Sequence, residues 1–327
     1  MSRKSIEGHT IKELRGVLSK RPKETVFWEN LIAISSLPLA DYETKDFSIT
    51  TPQKIHFQVT RLPVRGVEEL PLGHVTVLHD VTREKEAEEM KSNFVSIASH
   101  QLRTPLSEIK WALATILNQE VGPLTDTQKT LVAKTHTTND YLIRLVSDLL
   151  DVSRIEEGRF GYIFEPVKLY DVVKEAFDEF LAAAPRKQLS LTLEKPIASF
   201  PAVSADLGKL RIALSNVIDN AIKYTPKGFV RITLKSSPKM LSCVVEDTGI
   251  GIPKDQQKFI FQKFFRARNA VRVQTEGSGL GLWIANEIMN RHKGTITVKS
   301  EENKGSIFSL NFPIDPKEMP RGRAEGP

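Results

Sequence analysis

The stretch FVSIASHQLRTPL, residues 94–106, decides how the rest of the chain is read. Helical spacing of about 100° per residue puts Phe94, Ala98, Leu102, Leu106, Ile109, Leu113 and Ile116 on one apolar stripe. Ser96, His100, Arg103, Thr104, Ser107 and Lys110 fall on the other side, so the pattern predicts a helix that turns His100 to solvent. An exposed imidazole titrates near neutrality, and its neutral form keeps a ring nitrogen able to attack a phosphoryl group. Thr104, one turn on, shares that face and can position a water. Pro105 offers no N–H to the carbonyl of Gln101, which loosens the helix beside the histidine. His9, His56, His74, His79, His136 and His292 have no comparable neighbours and read as surface or satisfied core residues.

Upstream, the charged run Arg83–Lys91 enters this segment without a breaker, so one helix is expected from about 82 to 119, ended by Gly122 and Pro123. Thr125 caps a second helix, about 125–157, on which Leu142, Leu145, Leu149 and Val152 alternate three- and four-residue steps. Two such helices joined by a tight turn form a hairpin that cannot cover both stripes. A second copy completing a dimeric four-helix bundle is the expected solution.

Residues 1–82 read as short helices (Ile11–Leu18, Trp28–Ile34) followed by strands at Ile55–Thr60 and Val75–Val81, which is half a domain. After Gly158 the pattern is mixed, with strands at about 161–164, 189–193, 230–235, 242–247, 295–300 and 307–312 and helices at about 169–183, 206–223 and 281–292. The fold class expected is α+β multidomain. It comprises a partial sensor segment (1–82), a signalling helix with the hairpin (83–158), an α/β two-layer sandwich (159–314) and a disordered tail (315–327), whose apolar content is low.

Composition sets outer bounds. The 327 residues exceed one ordinary core, and 40% hydrophobic with 26% charged residues marks a globular chain. The net charge of +6 would attract a polyanion, but the basic residues are interspersed, so nucleic-acid binding is not expected. Cys243, the only cysteine, lies in an apolar stretch and reads as a small hydrophobe in a reducing compartment. No run of about 18 apolar residues occurs, so a cytoplasmic chain is expected, with any membrane spans lying upstream in a longer protein.

Four further clusters follow in order. In NVIDNAIKYTP, 216–226, Asn216 and Asn220 lie one turn apart with Lys223 next, so amide oxygens and an ammonium line one helix face. Amide oxygens suit Mg²⁺ when phosphates bring the charge. Taken alone, this equally suits the polar face of an amphipathic helix. In DTGIGIP, 247–253, Asp247 ends a strand before Gly249 and Gly251, and its carboxylate can accept from an adenine amino group; a plain turn with a solvated acid fits as well. FIFQKFFRAR, 259–268, reads as core packing except that Arg266 beside a nucleotide would contact phosphate. GSGLGL, 277–282, with Gly277, Gly279 and Gly281, opens a helix whose N-terminus favours phosphate, yet it lacks a P-loop ending.

The segment HQLRTPL, 100–106, resembles the H-box of sensor histidine kinases. The later clusters are similar to the N, G1, F and G2 boxes of the ATPase superfamily that joins these kinases to gyrase-type and mismatch-repair ATPases. The resemblance spans 92–313. It implies ATP and Mg²⁺ as cofactors and His100 as phosphoacceptor, with Asn220 the metal ligand. It places Asn216, Lys223 and Arg266 at the phosphates, Tyr224 near adenine, Asp247 on the adenine amino group, and Ala267–Glu276 as a lid. A response-regulator receiver domain is the implied partner, with Thr104 also serving hydrolysis of its phosphoaspartate. LHDVTREKE, 78–86, looks like the close of a PAS sensor domain, with Asp80 and Thr82 at its Asp-x-Thr turn. One departure stands out: Gln101 replaces the usual acidic residue after the histidine, and Gln can orient the ring but cannot act as a base. The rivals are a plain ATPase of the same fold, which would not need His100, and a degenerate scaffold, against which Asn220, Asp247 and the box glycines argue.

Overall fold

The computed structural model describes residues 43–49, 54–65, 71–181, 189–195, 200–274, 277–315, 317–320 and 322–324. The side chains of 43, 45, 47, 49, 61, 71, 72, 74, 88, 91–96, 100, 323 and 324 lie outside the description, as do the helices expected at 11–18 and 28–34. The orientation expected for the His100 ring is therefore outside it too. The chain divides into two compact units with the boundary between Lys91 and Ser92, inside the long helix rather than at residue 82.

Among its described residues the first unit holds three antiparallel strands in the order β1 (Glu43–Ile49), β2 (Ile55–Arg65), β3 (Pro71–Asp80). β1 escaped the sequence reading because ETKDFSI has almost no apolar alternation. Asp80 Oδ1 accepts from the Thr82 N–H at 3.0 Å, and Thr82 Oγ1 accepts from the His56 N–H of β2 at 2.9 Å. These two bonds cap the helix that follows and tie its start to the sheet.

That helix, α1 (Thr82–Leu117), carries Pro105 inside it, and α2 (Asp126–Glu156) begins at Thr125 with a full capping box shared with Gln128. The two helices are registered by polar contacts. Asn139, buried on α2, donates through Nδ2 to the Leu106 carbonyl at 2.8 Å, and Arg103 reaches Ser147 at 3.3 Å. On α2 the buried residues are Asn139, Val146, Leu150, Val152 and Ser153, whereas Leu142 is 41% exposed and Leu145 and Leu149 are half-buried. Leu102 and Ile109 of α1 are likewise exposed. The single chain thus covers one edge of the stripes and leaves the other open, because two helices bury only the wedge between them.

Beyond the hairpin come β4 (Tyr162–Val167), α3 (Leu169–Leu181), β5 (Leu189–Leu193), β6 (Val203–Ala205) and α4 (Leu207–Lys223). After these come β7 (Gly228–Ser236), β8 (Met240–Asp247), α5 (Arg268–Val273), α6 (Gly281–Arg291), β9 (Thr295–Glu301) and β10 (Gly305–Pro313). One sheet runs β5-β7-β8-β10-β9, antiparallel except for the β5–β7 pair. Alternation buries Leu241, Cys243 and Val245 of β8, in register with Leu310 and Phe308 of β10 and with Ile232 and Leu234 of β7. The buried stripes of α3, α4 and α6 join this row in one core, giving an α/β sandwich. Cys243 is fully buried and its thiol is pushed up to about 12, which keeps it unreactive.

The tail expected to be without order differs. Gly322–Ala324 forms β11, which pairs antiparallel with β4 in a small sheet β11-β4-β6, and Ser204 donates to the Pro320 carbonyl. β4 would otherwise present an unpaired edge, and backbone hydrogen bonds fill it without apolar side chains.

Candidate nucleotide site

The alternation that buries Leu241, Cys243 and Val245 also puts Asp247, the last residue of β8, on the core face. Its Oδ1 accepts from the Gly249 N–H at 2.8 Å and the Ser306 N–H at 3.3 Å, while Oδ2 has no hydrogen-bond partner among the described residues. Burial raises the carboxyl to about 6, against the opposing pull of those two N–H groups. The group is therefore ionised, and a full acceptor for an amino group, only above that value.

α4 supplies the second wall. Asp206 caps it, accepting from the Lys209 N–H at 2.9 Å, and Leu210, Ala213, Leu214, Val217, Ile218, Ala221 and Ile222 bury one face. Asn216, Asn220 and Lys223 are thereby left on the other, which lines a cavity of about 680 Å³. Tyr224, Asp247, Gly251, Arg266, Gly277, Gly279 and Gly281 line the same cavity. Of the residues expected to hold nucleotide only Gly249 does not; it is buried behind Asp247, where a side chain would strike the Asp247 carboxylate and the Tyr224 carbonyl.

Close approach explains two of the glycines. Gly251 has φ +62° and an added Cβ would fall inside the Glu301 carbonyl. At Gly281, the first residue of α6, an added Cβ would come within 2.7 Å of Asn216 Oδ1, so the glycine loop and α4 touch directly. Gly277 lies against the Arg266 guanidinium and the Lys223 ammonium, which brings two cations to the loop at the α6 N-terminus. The cavity is large enough for a nucleotide, with an acceptor for a base amino group in one wall and cations with backbone N–H groups in another.

The expected lid, Ala267–Glu276, is partly helical. α5 occupies Arg268–Val273 and is pinned to the Gly249–Gly251 loop, because Asn269 Nδ2 donates to the carbonyls of Gly251 at 2.9 Å and Ile250 at 3.3 Å. Of the phenylalanines before it, Phe261 and Phe265 pack on the core, while Phe264 is 64% exposed at φ +62°.

The side chain of the phosphoacceptor candidate, His100, lies outside the described residues and is not placed relative to this cavity. Among the described residues no side chain of α1 lines it; Gln101 and Thr104 are exposed on α1, where Thr104 edges a shallow depression with Arg103, Ser107 and Trp111. α2 stands there instead. Tyr141 Oη accepts from the Gly277 N–H at 3.3 Å, Asp148 Oδ2 accepts from Ser278 Oγ at 2.9 Å, and Lys263 pairs with Glu156. Burial raises Asp148 to about 6, with Asp151 and Asp219 adding to the shift and Ser278 and Arg144 opposing it. The sequence reading missed these residues. Tyr141 and Asp148 stand one heptad apart, each just before a seam leucine, and that second stripe was the available signal.

Residues 205–316 match the family of histidine kinase-, DNA gyrase B- and HSP90-like ATPases, and residues 90–158 match the His Kinase A (phospho-acceptor) domain. The chain belongs to the histidine kinase family. It is 34% identical over 291 residues to drug sensory protein A of Synechocystis sp., covering 84% of this chain and 43% of that protein. It is 32% identical over 225 residues to the circadian input-output histidine kinase CikA of Synechococcus elongatus, covering 68% of this chain and 30% of the relative. Full-length ShkA in complex with AMPPNP superposes with a TM-score of 0.53 at 28% identity, over 68% of this chain and 45% of that one. The chain thus spans less than half the length of these three proteins. No helix among the described residues is long and apolar enough to cross a membrane.

Proposed function

We propose that this chain is an ATP-dependent protein-histidine kinase of a two-component system, which phosphorylates its own His100 and passes the group to an aspartate of a response-regulator receiver domain. One observation carries the reading: clusters from four separate stretches, around Asn220, Asp247, Arg266 and Gly279, meet in one cavity of about 680 Å³. In this reading Asp247 takes the adenine amino group, Tyr224 packs at the base, and Asn216, Lys223, Arg266 and the loop N–H groups at Gly277–Gly281 hold the phosphates. The donor set fits Mg²⁺: Asn220 offers a neutral amide oxygen inside the cavity, and the phosphates supply the remaining hard oxygens and charge. Bound there, Mg²⁺ would neutralise charge developing on the β- and γ-oxygens.

In the transfer, a neutral ring nitrogen of His100 forms the N–P bond as the bond from γ-phosphorus to the bridging oxygen breaks, and ADP leaves. The resulting phosphoimidazolium then loses the proton on its other ring nitrogen. Gln101 can hold that N–H in place, but water or a separate base must accept the proton. α2 must first leave the glycine loop, and the Glu157–Gly161 linker, with Gly158 at φ +70° and Gly161 at φ +55°, is the natural pivot. Thr104 on the same helix face as His100 would position a water for hydrolysis of the regulator's phosphoaspartate.

The open stripes at Leu102, Ile109 and Leu142 support pairing with a second copy into a four-helix bundle. The sheet ending in the Asp80–Thr82 contact supports a partial PAS-like input segment. With ATP as the phosphoryl donor, we place this reaction in the cytoplasm. The test is incubation of the chain with γ-labelled ATP and Mg²⁺ beside His100→Ala. Acid-labile, base-stable label on the first and none on the second is expected. Equal label on both would overturn the assignment of His100, and hydrolysis of ATP without label would favour a plain ATPase.

A further inference from the structure

His292 sits one residue past the end of α6 with 0% exposure, and both its ring nitrogens are engaged. Nδ1 lies 2.7 Å from the Ile288 carbonyl, which can only accept, so Nδ1 carries the proton. Nε2 lies 3.0 Å from the Asp206 N–H, which can only donate, so Nε2 carries a lone pair. The partners therefore require the neutral ring in one tautomer. Asp206 is the residue that caps α4, and its carboxylate also accepts from the Ile163 N–H of β4 at 2.8 Å.

α4 and α6 consequently touch at two fixed points. His292, beyond the C-terminus of α6, meets Asp206, ahead of the N-terminus of α4. Gly281, at the N-terminus of α6, meets Asn216 a little over halfway along α4. The helices run antiparallel, and α6 spans about 16 Å between the two points. At the far end the approach is close, since a methyl on Gly281 would displace the Asn216 amide. We propose that His292 is a positioning residue for nucleotide binding: its neutral imidazole pins α6 against α4 and so sets the spacing between the Gly277–Gly281 loop and Asn216, Asn220 and Lys223. The inference rests on the nucleotide reading of the cavity.

A proton on Nε2 would set two donors face to face at Asp206 and remove the pin. Burial already holds the ring below its ordinary value, with the Ile288 carbonyl and then the Asp206 carboxylate pulling the other way. Of the other charged groups of this region, Glu287 and Arg291 of α6 and Asp151 of α2 act on the neighbouring Tyr162, and Lys209 of α4 acts on Asp206 and Asp151. Tyr162 and Phe164 of β4 present their rings edgewise to the imidazole at 5.9 and 5.1 Å. Because the folded-state value is depressed, the neutral ring favours the pinned state above the unfolded value, near 6.5. That advantage is lost progressively as pH falls from there toward the lower folded value.

The experiment titrates the full chain with a β,γ-imido ATP analogue and Mg²⁺ from pH 8 to pH 5, using wild type, His292→Gln and His292→Asn, each first checked for a cooperative thermal transition. Gln can place its carbonyl oxygen where Nε2 stands and accept from Asp206; Asn can replace only the Nδ1 donor. Affinity of His292→Gln within about threefold of wild type at pH 8 is expected, with His292→Asn weakened on the order of tenfold by the unpaired Asp206 N–H. Wild type should also lose more affinity in acid than the Gln variant, which has no proton to gain; Asp247 titrates in both and cancels from the ratio. A folded Asn variant binding like wild type would refute the proposal. Should that variant not fold, parallel acid profiles for wild type and Gln would refute it instead. Absence of analogue binding by wild type at pH 8 would sink the nucleotide reading itself, a separate failure.

Discussion

Replacing Asp148 by Asn should hold the catalytic domain against α2 at neutral pH and slow autophosphorylation. Asp148 accepts from Ser278 inside the glycine loop, and its carboxyl is raised from 3.8 to about 6 chiefly by burial. A group made more basic by docking binds its proton more tightly in the docked state, so docking is favoured as pH falls through about 6 and opposed above it. The difference of about two pH units corresponds to roughly 3 kcal/mol, or about 100-fold in the docking equilibrium. Part of this is offset because an amide is a weaker acceptor for Ser278 than a carboxylate, leaving roughly tenfold. Single-turnover labelling of His100 at saturating ATP, run from pH 5.5 to pH 8, reads the effect. The variant should be about tenfold slower than wild type at pH 7.5, and the gap should narrow to about threefold by pH 5.5, where docked wild type is largely protonated but released wild type is not. Equal rates at every pH, or a faster variant at pH 7.5, would show that the Asp148–Ser278 contact does not restrain the domain.

Gly281→Ala would drive a methyl into Asn216, so nucleotide affinity measured by calorimetry should fall at least about tenfold while the melting temperature changes little, since the clash lies at the cavity wall. Asn139→Leu removes the buried amide that donates to the Leu106 carbonyl and ties α2 to α1, and unfolding in urea should show a loss of about 1–3 kcal/mol. An unchanged midpoint would mean that the carbonyl finds another donor.

The nucleotide cavity was legible in the sequence because each of its parts is tied to a local pattern. Asp247 follows from a strand of strict alternation, Asn216 and Asn220 from one helix turn, and the glycines from positions where a side chain cannot fit. The long helices were legible for the same reason: the capping box at Thr125 and the breakers at Gly122 and Pro123 are short-range signals. β1, β6 and β11 were not, because their pairing is set by the partner strand rather than by their own residues. The contact of α2 with the glycine loop was also hidden. It depends on two polar residues meeting a segment more than 100 positions away, and although Tyr141 and Asp148 share one stripe of α2, the stripe alone does not say what it faces.

That hidden contact changes what the hairpin does. Residues 141 and 148 precede Leu142 and Leu149, so the stripe facing the glycine loop lies only about 100° around α2 from the stripe left open for a second copy. The two surfaces share one rigid helix. A change in how α2 packs in a bundle, by rotation or by a shift along its axis, must therefore move Tyr141 and Asp148 relative to Gly277 and Ser278. The bonds at 3.3 and 2.9 Å leave little tolerance, since hydrogen bonds weaken steeply with misalignment. Packing at the seam and restraint of the nucleotide loop are thus one mechanical variable. A substitution at Leu142 or Leu149 should then alter the pH dependence of autophosphorylation as well as the assembly state, without touching a residue of the nucleotide cavity.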